Sequence, residues 1–234
     1  MAVTHITAVD HSDTDPTNSF SITLPTTQPN DTLTVDVVHM GTAEPTLGGT
    51  SVTTGGLTWT KEHAQPWDGT VKRLITYSTV ATGDHSGQTV TASGLTNSCS
   101  ASLNQYRGGD PADPLGAATI VGEANTIGDE TQAEITTDVD GAWVVLVVGN
   151  IGRNVTDMAC TSPGALTERS EADSNGGIGS RVTHASLEKA TAGATGAFTW
   201  SQFDEVHGSI AYAIKPAAAA ANFPLHRRRR HRSS

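Results

Sequence analysis

Nine histidines, two cysteines and many serines are the residues of this chain whose types could support catalysis or metal binding. No two histidines have the i, i+4 spacing of a helical zinc site, and no cysteine lies near a histidine at ligand spacing. No Gly-x-Ser-x-Gly elbow is present to raise a serine nucleophile from a strand. We therefore expect histidines on the surface or in turns, no catalytic residues, no metal and no cofactor.

The acidic stretch around Asp10, Asp13 and Asp15 is a second candidate, because clustered carboxylates are the oxygen ligands that Ca²⁺ favours. The stretch lacks the glycine and the distal bidentate glutamate of an EF-hand. A solvated turn is our preferred interpretation, and calcium binding stays open as the alternative.

The four tryptophans suggest a sugar-binding surface, since exposed aromatic rings stack on sugar faces. Trp143 lies in the apolar run AWVVLVV and is expected in the core. Trp67 stands between Pro66 and Asp68 in a predicted hairpin turn, so it is the ring most expected to be exposed. Trp67 is therefore the candidate for glycan contact; a packing or subunit contact is the alternative.

The C-terminal segment, residues 216–234, differs in charge from the rest of the chain, and we call it the arm. The formal net charge is −10, and without the five arginines of the segment 9 basic residues face 24 acidic ones, a charge of −15. We expect this arm to dock on an acidic protein surface, a solubilising tail being the alternative. Nucleic acid is not the expected partner, because it would repel the acidic body. The predicted partner-binding residues are Phe223, Leu225, Arg227, Arg228, Arg229, Arg230 and Arg232.

The elements that would position these residues form a β-rich pattern that occurs twice, 109 residues apart. A shift without gaps aligns Asp31 with Asp140, Val35 with Val144 and Leu57 with Leu166. Strand-like segments alternate with turn signals at the spacing of a sandwich or jelly roll. We predict an all-β fold, an antiparallel sandwich of jelly-roll type with two sheets and an internal duplication.

This sandwich is predicted to span residues 1–215, with halves of about 1–110 and 111–215, followed by an extended Ala/Pro and Arg-rich arm at 216–234. The apolar run 142–148 should be a central strand covered on both faces. No stretch reaches the roughly 18 apolar residues that span a bilayer, so no membrane is expected. Cys99 and Cys160 are expected as free, buried thiols.

Several segments resemble a known group of proteins. They are DGAWVVLVVGN, TSPGALTERSEADSNGG, EKATAGATGAFTW, SIAYAIKP and YRGGDPADPLGAA. They are similar to β-sandwich accessory virion proteins of tailed bacteriophages, especially those of actinobacteria. The resemblance covers about residues 20–216, excludes the arginines and rests on structural rather than catalytic motifs.

The resemblance implies a non-enzymatic structural component of the virion, made in the host cytoplasm and placed in the tail or on the capsid exterior. We expect a minor tail protein that assembles through its arm with other virion proteins or copies of itself. A capsid decoration protein is the alternative within this class. A carbohydrate-binding adhesion module that contacts a host-surface glycan through Trp67 is the alternative from another class.

Overall fold

The computed structural model describes residues 2–13, 19–42, 44–48, 57–67, 72–122, 128–151, 154–174, 179–202 and 206–218. In these ranges the regular structure consists of strands alone, and every strand pairing is antiparallel. The prediction of an all-β, antiparallel fold is confirmed. None of the described segments forms a helix that is long and apolar enough to cross a membrane.

The first half contributes eight strands. They are β1 (Thr4–Asp13), β2 (Ser19–Thr23), β3 (Thr32–His39), β4 (Thr46–Gly48), β5 (Thr60–Trp67), β6 (Lys72–Val80), β7 (Thr89–Ser93) and β8 (Cys99–Arg107). The second half contributes ten. They are β9 (Leu115–Gly122), β10 (Gly128–Gln132), β11 (Thr136–Thr137), β12 (Ala142–Asn150), β13 (Val155–Cys160), β14 (Thr167–Asp173), β15 (Arg181–Lys189), β16 (Gly193–Ala194), β17 (Phe198–Gln202) and β18 (His207–Ile214).

The two halves have the same strand order. In the first half β1-β8-β3-β6-β5 form a five-stranded sheet and β2-β7-β4 a three-stranded sheet. In the second half β9-β18-β12-β15-β14 and β10-β17-β13 repeat these orders, and β11 pairs with β16 as a small addition.

The residue register does not follow the gapless shift of 109. Tyr77 lies opposite Val35, so that shift would place Ser186 opposite Val144. The residue opposite Val144 is Leu187. The predicted gapless register is therefore wrong, because the pairing of β12 with β15 is one residue out of step with that of β3 with β6.

Each half has its own core between its five-stranded and three-stranded sheets. Leu33, Val35 and Val37 belong to the first core, which also contains Leu57 and the free, buried Cys99. The second core contains Cys160, also free and buried, and Leu166 packs against its edge. The prediction of two free, buried thiols is confirmed.

The two five-stranded sheets also pack against each other. Residues from both halves share a third buried cluster. Strand β12 therefore lies between two cores: Val144, Leu146 and Val148 face the second core, while Val145 and Val147 face the shared cluster. The predicted central strand covered on both faces is confirmed.

In the described part of the chain the layers contain three, five, five and three strands, so the architecture is β-sandwich-like, as predicted, but it has more than the two sheets expected. The prediction of two sheets failed because it took the polar residues of the five-stranded sheets to face water. Alternation of polar and apolar residues is typical of a sheet with one face in water. Here that polar face is buried against the other half, as with Ser100, Ser102 and Asn104, each fully buried.

Candidate functional site

The arm begins at the junction between the halves. Ala217 N donates a hydrogen bond to Gly108 O at 2.9 Å, and Asp110 N donates to Lys215 O at 2.7 Å. The structure describes the chain as far as residue 218. The predicted partner-binding residues Phe223, Leu225, Arg227, Arg228, Arg229, Arg230 and Arg232 lie outside the described residues, so their contacts stay predictions.

Trp67 is not an exposed ring. It is only 1% exposed, because β5 continues through Pro66 and Trp67 and pairs Trp67 with Lys72. The ring packs on β18 at Gly208, where a Cβ atom would come within 2.7 Å of Trp67 Cε3. The predicted exposure of Trp67 is therefore wrong. A glycan cannot stack on this ring in the folded protein.

Histidines are more buried than the sequence suggested. His39, His184 and His207 lie in strands and are each at most 1% exposed, so the prediction of surface or turn positions is wrong for these three. His85 is also buried but lies in the turn between β6 and β7. Hydrogen bonds account for their burial, as where Thr96 N donates to His39 Nε2 at 3.2 Å. Polar side chains with buried partners are tolerated inside a protein.

A hydrogen-bonded network crosses the interface between the halves. Asp36 on β3 and His184 on β15 are both fully buried, and His184 Nδ1 lies 2.7 Å from Asp36 Oδ2. Thr76 Oγ1 donates to Asp36 Oδ1 at 2.7 Å. On the other side of the imidazole, Nε2 lies 2.6 Å from Tyr106 Oη, which is 3.2 Å from Ser186 Oγ.

An acid, an imidazole and a hydroxyl in this order are the groups of a catalytic triad, in which the acid orients the imidazole and does not take up its proton. Asp36 and Tyr106 contact the two ring nitrogens of His184 and so hold the imidazole in one orientation. Burial raises the pKa of the Tyr106 phenol well above its usual value. Because these groups lie between two sheets and bind one another, the arrangement fixes the halves in one relative position.

Two further polar groups flank this network. His5 Nε2 lies 3.1 Å from Asn104 Oδ1, and Asn104 Nδ2 donates to Ser102 Oγ at 3.0 Å. Ser98 Oγ lies 2.6 Å from Ser174 Oγ, and Ser100 Oγ donates to Ser180 O at 2.7 Å. The many serines of the sequence thus bond one half to the other.

The acidic stretch at the start of the chain is not a turn where it is described. Asp10 and Asp13 lie in β1, opposite Ser102 and Cys99, whereas Asp15 lies outside the described residues. Burial raises the pKa of Asp10. Among the residues with described positions, no three His, Cys, Asp or Glu side chains are grouped to hold a metal ion.

A groove opens between β13 and β14 in the second half, and we call it the β13–β14 groove. Its volume is about 460 Å³, within the range of about 300–1,000 Å³ that ligand pockets occupy. Its floor is apolar and two acidic side chains lie at its rim. The lining residues are Val155, Thr156, Asp157, Met158, Ala159, Ala165, Leu166, Glu168 and Ala185.

A bulge in the edge strand shapes this groove. The pairing of β13 with β17 shifts register between Thr156 and Ala159. Asp157 lies in the bulge with a φ of +55°, a left-handed conformation that Asp and Asn adopt more readily than most residues. Bulges commonly redirect a side chain at a sheet edge. No sequence motif marks this groove, because it depends on which strands meet at an edge.

No family model, curated protein or solved structure matches the chain. The arm, the interface network and the β13–β14 groove are the features of the molecule that bear on its function.

Proposed function

We propose that the protein is a structural component of a tailed-phage virion, a minor tail protein that assembles through its C-terminal arm. The observation that carries this proposal is the charge arrangement around the arm. Five arginines follow a body with 9 basic and 24 acidic residues, and the arm leaves from a hydrogen-bonded junction rather than from a frayed strand end. Arginine pairs bidentately with carboxylates, so the arm suits an acidic protein partner.

The buried polar groups are consistent with a structural role. Asp36, His184 and Tyr106 are fully buried and bonded to one another across the interface. Such a network resists relative motion of the two halves, as an assembled particle requires. The resemblance of residues 20–216 to accessory virion proteins points in the same direction.

We further infer that each half is a jelly roll and that the two arose by duplication. The support is the strand order. When the small β11–β16 pair is left out of the count, the second, seventh and fourth strands of each half form one sheet. The first, eighth, third, sixth and fifth strands form the other sheet. This alternation between two sheets is typical of jelly rolls.

The test is incorporation into particles. A chain that lacks residues 219–234 keeps all the described strands, so its melting temperature should stay within a few degrees of the full chain. We expect it to be missing from purified virions that otherwise contain the full chain. Incorporation at full occupancy would contradict assembly through the arm. A few copies per virion would identify a tail protein, whereas hundreds would identify a capsid decoration protein.

A further inference from the structure

The bulges in β5 and β14 identify matching positions in the two halves. The pairing of β5 with β6 shifts between Lys61 and His63, and the pairing of β14 with β15 shifts between Glu168 and Ser170. The residues just before each bulge therefore correspond. Lys61 lies opposite Tyr77 in the first half, and Glu168 lies opposite Ala185 in the second.

In the first half, these two residues bridge the gap between the five-stranded and three-stranded sheets. Tyr77 is only 5% exposed and donates its hydroxyl to Pro45 O, just before β4. Lys61 Nζ lies 2.5 Å from Glu44 Oε2. Burial raises the pKa of Tyr77 to about 12, and the charge of Glu44 adds to this shift. An aromatic ring and a cation thus occupy this gap.

In the second half, both bridging groups are missing from the matching positions. Ala185 takes the place of the ring and is itself fully buried. The apolar lining that the described residues leave accessible is at Ala159, Ala165 and Leu166. Glu168 replaces the cation, and Asp157 is the other charged residue of the lining. The carboxylates of Asp157 and Glu168 carry the same charge, so they cannot form an ion pair across the groove. The groove therefore lacks one large apolar side chain and one or more cations.

The arm carries both missing groups in the required order. Phe223 and Leu225 are two residues apart, so they point to the same side of an extended chain. Arginines begin two residues later, at Arg227. A cavity of about 150 Å³ holds a benzene molecule, so the groove has room for both apolar side chains.

We propose that the β13–β14 groove receives residues 219–234 of a second copy of this chain. Phe223 and Leu225 pack on Ala165 and Leu166, and the arginines pair with Asp157 and Glu168. The inference rests on the proposed assembly through the arm and names the site that receives it. Arm and groove are different surfaces, so the contact is heterologous and extends to a ring or filament.

The described chain ends beside the first half, whereas the groove lies between strands of the second half, and a second copy is the source of the arm that we propose. Ala217 borders a cavity with Gln28, Pro29 and Asn30, so the described chain ends beside the first half. In the second five-stranded sheet, β12 and β15 separate β18 from β14. Sixteen residues extend to about 50 Å, enough to reach a neighbouring molecule.

The first experiment measures self-association of the full chain by sedimentation velocity over a range of concentrations. Asp157→Asn with Glu168→Gln removes both charges, and Asn keeps the left-handed backbone at position 157. We expect at least a tenfold weaker association constant. The control, Asp84→Asn with Glu188→Gln, makes the same charge change at exposed sites outside the groove. Equal effects of the two pairs, or no self-association of the unmodified chain, would overturn the proposal.

A second variant fills the groove from within. Ala185→Tyr with Glu168→Lys installs the residues of the first half, and we expect it to abolish self-association. If this variant fails to fold, the charge variant above still decides the matter, since it adds no volume.

The third experiment identifies the molecule that supplies the arm. Full chains with a photo-crosslinking phenylalanine analogue at Phe223 are mixed as light and isotope-labelled protein, irradiated and digested. We expect adducts between light and heavy chains within residues 155–168. Adducts within one chain, or outside the groove, would overturn docking to a second copy.

Failure of this inference is separable from failure of the proposed function. Groove variants that enter virions normally, while the chain without residues 219–234 does not, would refute the groove alone. Virions that never contain the protein would refute the proposed function, whatever the purified chain does.

Discussion

The buried pair of Asp36 and His184 allows a quantitative test of the interface between the halves. Asp36→Val leaves His184 Nδ1 and Thr76 Oγ1 without the carboxylate that they contact at 2.7 Å. Each unpaired buried group costs about 1–3 kcal/mol, and breaking a buried ionisable pair costs about 3–5 kcal/mol. We therefore expect Asp36→Val to lower the free energy of unfolding by about 3–5 kcal/mol.

His184→Leu should cost a similar amount, because it leaves the Asp36 carboxylate buried with Thr76 alone and removes one partner of Tyr106. The double variant leaves mainly the Thr76 hydroxyl unpaired, at about 1–3 kcal/mol. The two single costs total about 6–10 kcal/mol on the same basis. The expected coupling energy is thus about 3 kcal/mol or more, at the upper end for contacting residues.

Urea unfolding followed by tryptophan fluorescence measures this cycle, since Trp67 and Trp143 both belong to the interface cluster. Agreement with circular dichroism establishes that the transition is two-state. Thr183→Val is the control, because the buried Thr183 hydroxyl has no hydrogen-bond partner among the described atoms. Costs that add to within about 0.5 kcal/mol would show that the two side chains do not interact, and would refute the network.

Three other variants test separate parts of the fold. Leu146→Asp buries a carboxylate in the second core, and we expect no soluble protein on expression. Gly208→Ala puts a Cβ 2.7 Å from Trp67 Cε3 and should lower the free energy of unfolding in urea by about 1–3 kcal/mol. Burial lowers the pKa of His5 to about 4, so its contribution to stability is complete above about pH 6.5 and is lost as the pH falls towards 4. This loss should be about 1–2 kcal/mol after allowance for the partial exposure of His5. A His5→Asn variant should lose this part of the slope in unfolding measured from pH 4 to 7, while His11 and His63, whose pKa values burial also lowers, keep theirs.

Apolar patterns predicted the parts of the fold that depend on a single strand. The run from Ala142 to Val148 has apolar residues at odd and even positions, which requires cover on both faces. The structure provides that cover, with Leu146 in one core and Val147 in the other cluster. The matching strand order was likewise suggested by repeated strand and turn signals.

The stacking of the two halves could not be predicted in this way. Ser100, Ser102 and Asn104 alternate with apolar residues as the water-facing side of a strand would. Their partners, such as Ser170 and Ser180, lie about 70 to 80 residues away in the sequence. A polar side chain with a distant hydrogen-bond partner has the same local pattern as one in water. Asp36 and His184 were missed for this reason, although polar residues within apolar strands were the available signal.

The candidate groove was beyond sequence analysis for a different reason. Ala185 and Glu168 are ordinary residues in their own strands. They become informative only when they are compared with Tyr77 and Lys61. This comparison requires the bulges, which show which residues of the two halves occupy matching positions. The gapless shift of 109 residues does not bring these pairs together.

The junction where the second half begins and ends has a mechanical consequence. The chain enters this half after Asp110 and leaves it at Lys215, and hydrogen bonds join these residues and also Gly108 to Ala217. Tension between the arm and the first half is therefore carried across this short clamp. The ten strands of the second half bear no load until the clamp breaks. In a virion component held by its arm, a few backbone hydrogen bonds would then carry the force. The second half would stay folded until these bonds break.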